Sequence, residues 1–306
     1  MFEIIPDGTK IDFLGHARLW VAISLILIGI GVAAMAVRGL NLGIDFKGGT
    51  VVQIKTTRPI AIQEIRDALS KAGRGDAMIQ EFGSPNDILI RLQTGEGNVV
   101  KEVKGALGDR FKESGLKVVR QEEVGPQVGS DLRHKAVLAI VYALGMVVIY
   151  ITIRFEFKYA VGAILALVHD VLLTLGAFAV THLEVDLTVV AAVLTIVGYS
   201  LNDTIVVYDR IRENHLANVQ EPLPPVINRS VNETLSRTIL TSATTLVVVA
   251  ALFFLGGEVI HDFAFALLVG IVVGTYSSIF IASPVVVAWD HLMRKEPVDK
   301  AEATAR

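Results

Sequence analysis

Six long apolar runs, most of them bounded by charge, decide what this chain can become. They are Leu19–Val37, Ala136–Ile153, Tyr159–Leu183, Leu187–Tyr208, Thr238–Gly257 and Phe263–Trp289. A hydrocarbon layer offers backbone N–H and C=O groups no water, so runs of this length predict transmembrane helices. The predicted fold class is a polytopic α-helical membrane protein with six spans. Composition agrees: 52% of the 306 residues are hydrophobic and mean hydropathy is +0.56, too apolar for an ordinary soluble enzyme. A net charge of −3 does not suggest nucleic acid, and the absence of cysteine excludes disulfides, thiolate chemistry and Cys-ligated metal. Ala34-Met35-Ala36 looks like a signal cleavage site, but the first run is longer than a signal core, so an uncleaved anchor is expected.

Basic residues orient the runs. The second-to-third link holds Arg154 and Lys158, the fourth-to-fifth holds Arg210, Arg212 and Arg229, and the tail opens with Arg294-Lys295. His182–Asp186 and Gly256–Asp262 hold no Lys or Arg. Both termini, 1–18 and 290–306, are therefore expected in the cytoplasm, and 38–134 outside. That outside segment reads as a small α+β domain. Strands are predicted at Thr50–Thr56, Ala77–Phe82, Asn86–Gln93 and Leu116–Glu122, with a turn at Gly83–Asn86. Helices are predicted from Pro59 onward, with Ile62, Ile65 and Leu69 on one face, and over Asn98–Ser114, with Val99, Val103, Leu107 and Phe111 in step. The order βαββαβ is the ferredoxin-like pattern.

Two glycine-rich stretches flank this domain: Gly43-Ile44-Asp45-Phe46-Lys47-Gly48-Gly49 and Gly125-Pro126-Gln127-Val128-Gly129. Neither has the Lys-Ser/Thr of a phosphate loop. They are read as tight turns that fix the domain against the bundle and pass motion between them.

The membrane runs carry costly polar groups. A carboxylate in mid-membrane costs roughly 2.5–3.5 kcal/mol on insertion scales, so Asp203 and its neighbour Asn202 call for a function. Arg237 begins the fifth run, and Asp203 lies about five residues, or ~7–8 Å, inside the end of the fourth. Their depths match, so an Asp203–Arg237 pair that takes up and releases a proton is expected. Desolvation favours the neutral acid and a nearby guanidinium favours the carboxylate. Asp170, beside His169, lies some eleven residues or ~16 Å into the third run. It reads either as a second relay station or as a structural cap. Gly270 and Gly274 form a GxxxG packing face, and Pro284 is placed to kink the last run.

The blocks GIDFKGG (43–49), VGPQVG (124–129), VHD (168–170), GYSLNDTIVVYDRIREN (198–214), NRSVNETLSRTILTSATT (228–245) and GTYSSIFIASP (274–284) carry a resemblance. On them the chain resembles the SecD/SecF family of protein-export membrane proteins, in its smaller, SecF-type branch, within the RND superfamily. The resemblance implies six spans and a periplasmic ferredoxin-like domain in the bacterial inner membrane. It implies no enzymatic turnover and no cofactor, with protons as the coupling ion. Partners implied are SecD, the SecYEG channel, SecA, YajC, translocating preproteins and membrane lipids. The family's membrane Asp and Arg fall on Asp203 and Arg237.

Other readings fit less well. An RND-like efflux or lipid transporter would want a larger outside domain. An intramembrane aspartyl protease would want a GxGD block, and a zinc protease HExxH; the chain has neither.

Overall fold

In the computed structural model, which describes residues 9–75, 77–92, 99–108 and 110–294, a helical bundle carries a small α+β domain at one end. Helix α1 (Ala17–Arg38) leaves the bundle through β1 (Asn41–Leu42) and the short α2 (Ile44–Lys47). The domain follows as β2 (Gly49–Lys55), α3 (Ile62–Lys71), β3 (Met78–Phe82), β4 (Ser84–Leu92), α4 (Val99–Gly108) and β5 (Lys117–Val124). The bundle resumes with α5 (Pro126–Arg154), α6 (Phe157–Thr181), β6 (Glu184–Val185), α7 (Leu187–Ala217), α8 (Leu223–Leu255) and α9 (Glu258–Ser277). A π-helical turn, Ser278–Ala282, joins α9 to α10 (Ser283–Arg294). Among the described residues, six helical stretches are long and apolar enough to cross a membrane, the last running through that turn as Val259–Met293. The chain is a multi-pass membrane protein.

Helices and apolar runs do not end together. Helix α7 continues past Tyr208 to Ala217, and α8 begins at Leu223 rather than Thr238. The added turns are amphipathic: Leu223, Val226, Ile227, Ser230, Val231 and Thr234 are buried at helical spacing. Hydropathy marks where lipid would end, not where the helix does. Helix α6 stops at Thr181, short of Leu183, because His182 caps it with φ 58°. The stretch Gly125–Gly129 is not a free turn. Gly125 is an N-cap and Pro126 opens α5, where its missing N–H is no loss. At the other end, Pro284 has no N–H for the Phe280 carbonyl. The chain widens there into the π turn, and Ser283 Oγ donates to the Ser278 carbonyl at 3.0 Å.

The domain's sheet has the order β3-β4-β2-β5, all antiparallel, which is the ferredoxin-like arrangement. Helices α3 and α4 cover one face, where Val52, Ile54, Ile88 and Ile90 meet Ile65, Leu69, Val103 and Leu107. The β3–β4 turn is tighter than the four residues expected. Phe82 stands opposite Ser84, and Gly83 alone makes the reversal at φ 74°. Helix α4 ends at Gly108 rather than Ser114, and a 3-10 turn takes Lys112–Ser114. The expected strand and helix ends at Gln93 and Asn98 lie outside the described residues.

In the bundle, Gly270 and Gly274 pack on α7: a Cβ on Gly270 would run into the Ile196 side chain, and one on Gly274 would meet Ser200 Cβ at 2.9 Å. A second close approach was not visible as a motif. A Cβ on Gly31 of α1 would lie 2.8 Å from Gly176 Cα on α6, where no side chain can yield. Replacing Gly31 by Ala is therefore expected to cost about 1–3 kcal/mol, read as a lower unfolding midpoint in detergent. Gly29→Ala, with nothing within 4 Å of its Cβ, should leave the midpoint in place.

Candidate functional site

Asp203 sits on α7 facing α8. Thr238 Oγ1 donates to its Oδ1 at 2.6 Å. Its Oδ2 is shut off from solvent and accepts no hydrogen bond. The Ser278 hydroxyl, in the π turn, is near enough to donate to the carboxyl. Where the Ser278 hydroxyl is turned instead to the Gly274 carbonyl at 2.9 Å, Oδ2 is left without a donor. The expected partner behaves differently. Arg237 precedes Thr238 and points about 100° around the helix, toward an exposed face. Its guanidinium forms no ion pair among the described residues, and it edges a groove of about 760 Å³ with Asp209, Arg212 and Glu233. Asn202 is exposed on the same bundle. The structure thus brings Asp203 to Thr238, and leaves Arg237 and Asn202 on the surface of this chain. A bare, buried carboxyl oxygen has two ways to be satisfied: a proton, or a donor that moves onto it.

Asp170 lies apart and is fully engaged. It is 1% exposed and His169 5%. Its Oδ1 meets His169 Nδ1 at 2.9 Å, and its Oδ2 accepts from Ser200 at 2.6 Å and Ser277 at 2.9 Å. His169 Nε2 meets Ser24 Oγ on α1 at 2.9 Å. Between the two acids, Thr204 Oγ1 meets both the Ser200 carbonyl at 3.1 Å and Ser278 Oγ at 3.0 Å.

The glycine-rich stretches meet one another. A Cβ on Gly48 would strike Pro126 Cα at 2.9 Å, and one on Gly129 would strike Gly48 N at 2.9 Å. Gly48 and Gly49 also hold φ of 75° and 143°, which a side chain would resist. The same junction grips the bundle. Asn41 and Leu42 pair in parallel with Glu184 and Val185, and Gly43 N donates to the Val185 carbonyl at 2.8 Å. Asp45 Oδ2 accepts from Leu187 N at 3.0 Å, at the start of α7. Arg91 of β4 forms an ion pair with Glu184.

Residues 105–292 match the family described as "Protein export membrane protein SecD/SecF, C-terminal", and residues 33–60 match the "SecD/SecF GG Motif". The chain belongs to the SecD/SecF family. A protein translocase subunit SecF of Calditerrivibrio nitroreducens is 49% identical over 290 residues, 93% of this chain and 95% of that protein. One from Escherichia coli O157:H7 is 41% identical over 287 residues, 92% and 88% of the two chains. A crystal structure of SecDF from a Thermus species, titled a translocon-associated membrane protein, aligns with a TM-score of 0.83 at 39% identity. It covers 93% of this chain but only 39% of the solved one, so this chain matches one part of a longer molecule.

The GG motif of the SecD/SecF family is thus, in this chain, the clasp between domain and bundle. Thr238 and Glu184 escaped attention in the sequence. Thr238's signal was its helical spacing after Thr234; Glu184 gave none, since its partner Arg91 is far along the chain. Burial raises the Glu184 carboxyl above its ordinary 4.5; the Arg91 guanidinium opposes this, and Asp186, Asp262 and Asp45 add to it. A carboxyl that holds its proton more tightly when folded adds stability that is complete below 4.5 and is lost as pH rises through the raised value. The unfolding midpoint should carry such a falling component above pH 4.5, and Glu184→Gln should remove it.

Proposed function

We propose that this chain is the SecF half of a SecD–SecF assembly that spends the proton motive force on moving polypeptide across the bacterial inner membrane. The observation that carries the proposal is the bare Oδ2 of Asp203, buried in a membrane helix beside α8. In one state the carboxylate is held by Thr238 and by Arg237 swung in from the exposed side of the same turn of α8. In the other, Oδ2 carries a proton and Arg237 returns to the groove of mixed charge that it shares with Asp209, Arg210, Arg212, Glu213 and Glu233. A proton falling through 100 mV supplies about 2.3 kcal/mol, enough to change a two-state ratio roughly fifty-fold. Asn202 stands one residue from Asp203 and serves as a polar stepping point on the exposed face.

Several features support a partner half. The solved SecDF chain is much longer than its match here, and Arg237 and Asn202 are polar groups left uncovered in a membrane protein. SecD is the proposed cover. SecYEG, SecA and YajC, together with the preprotein, complete the proposed setting. Both termini lie in the cytoplasm and the α+β domain in the periplasm, by the distribution of Lys and Arg. No catalytic residue or cofactor is assigned; energy enters as protons.

Export into inverted membrane vesicles, driven with and without an imposed proton gradient, tests this. Asp203→Asn and Arg237→Met should each abolish the gradient-stimulated component at normal protein level. Full stimulation in Asp203→Asn would refute the proposal.

A further inference from the structure

We infer that His169 and Asp170 form a net-neutral pair sharing a single proton, and that their task is to position α1 against α7 rather than to carry the coupling proton. The inference rests on the reading of Asp203 as the carrier. It follows from the direction of one chain of hydrogen bonds.

Tyr276 OH lies 2.6 Å from the Trp20 carbonyl, which only accepts, so Tyr276 spends its one hydrogen there. Ser24 Oγ, 2.9 Å from the same phenol oxygen, must then be the donor between them. With its hydrogen committed, Ser24 is only an acceptor toward His169 Nε2 at 2.9 Å. His169 therefore carries a hydrogen on Nε2. Between His169 Nδ1 and Asp170 Oδ1, 2.9 Å apart, there must be one proton, since two lone pairs would otherwise face each other. Whichever atom holds it, the pair has no net charge. Asp170 Oδ2 lies within hydrogen-bond distance of the hydroxyls of Ser200 and Ser277, the latter also 3.1 Å from the Gly274 carbonyl. The groups facing the pair are Ser24 from α1, Ser200 from α7, and Tyr276 and Ser277 from α9; none is charged.

Every polar side-chain atom of the pair has a partner, in contrast to Oδ2 of Asp203. What it does have is reach. It joins α1, the helix that leads out to the GG clasp, to Ser200, one turn before Asp203 on α7. His169 and Asp170 are thus positioning residues that hold the carrier's helix in register with the helix bearing the domain.

Asparagine at 170 is the decisive substitution. Its amide oxygen can accept from Ser200 and Ser277 while its N–H donates to Nδ1 of a neutral His169, so the pattern survives without a mobile proton. Measured in membranes with the partner subunit co-expressed, Asp170→Asn should retain gradient-stimulated export with an unchanged pH profile. Asp170→Leu and His169→Leu should lose it, and should lower disulfide cross-linking between cysteines placed across α1 and α6 and across α6 and α7 in this otherwise cysteine-free chain. Loss of stimulation in Asp170→Asn at normal level and normal cross-linking would make Asp170 a carrier and overturn the inference. Undiminished export and cross-linking in Asp170→Leu would overturn it too. Asp203→Asn is run alongside: its outcome bears on the carrier alone, whereas cross-linking bears on positioning alone. If the leucine variants do not accumulate, nitrogen-15 NMR of labelled histidine decides, since an Nε2 without hydrogen on His169 contradicts the chain of donors.

Discussion

In hydrocarbon, every polar atom needs a partner, because water is not there to serve as one. This bundle meets that demand in two ways for its two membrane acids. Asp170 is saturated: an imidazole and two serine hydroxyls close its oxygens. Asp203 has Thr238 on one oxygen and nothing on the other. The difference separates a group built to stay from a group able to change. The residues between them, Ser200, Thr204 and Ser278, on α7 and the π turn, carry hydrogen bonds from Asp170 toward Asp203 that stop at Ser278, short of a bond to Asp203 itself.

Close backbone contact makes that arrangement rigid. Gly31 against Gly176 seats α1 on α6, and Gly270 and Gly274 let α7 approach α9. At the domain end, Gly48 and Gly129 bring α2 onto the start of α5. Asp45, Gly43 and the β1–β6 pairing then lock this junction to the α6–α7 hairpin. A displacement of α7 at Asp203 therefore has two physical routes to the domain: along α7 to Asp45, and across His169 to α1.

The six spans, the ferredoxin-like order and the GxxxG face were legible in the sequence because each rests on local periodicity or composition. The helix ends were not, since α7 and α8 pass from lipid-type to amphipathic turns without breaking. Asp203 was conspicuous as a charge among apolar residues. Its hydrogen-bond partner was not, because Arg237 drew attention by charge while Thr238 points at the acid. The Gly31–Gly176 crossing has no motif on either helix. Likewise the direction of the Tyr276–Ser24–His169 chain depends on three helices meeting, which no single stretch of sequence encodes.

Infrared difference spectroscopy of the membrane-embedded complex, with isotope-labelled aspartate, tests the central claim most directly. A protonated-carboxyl band that rises on acidification should vanish in Asp203→Asn and persist in Asp170→Asn. A band that survives Asp203→Asn and disappears with Asp170→Asn would contradict the account.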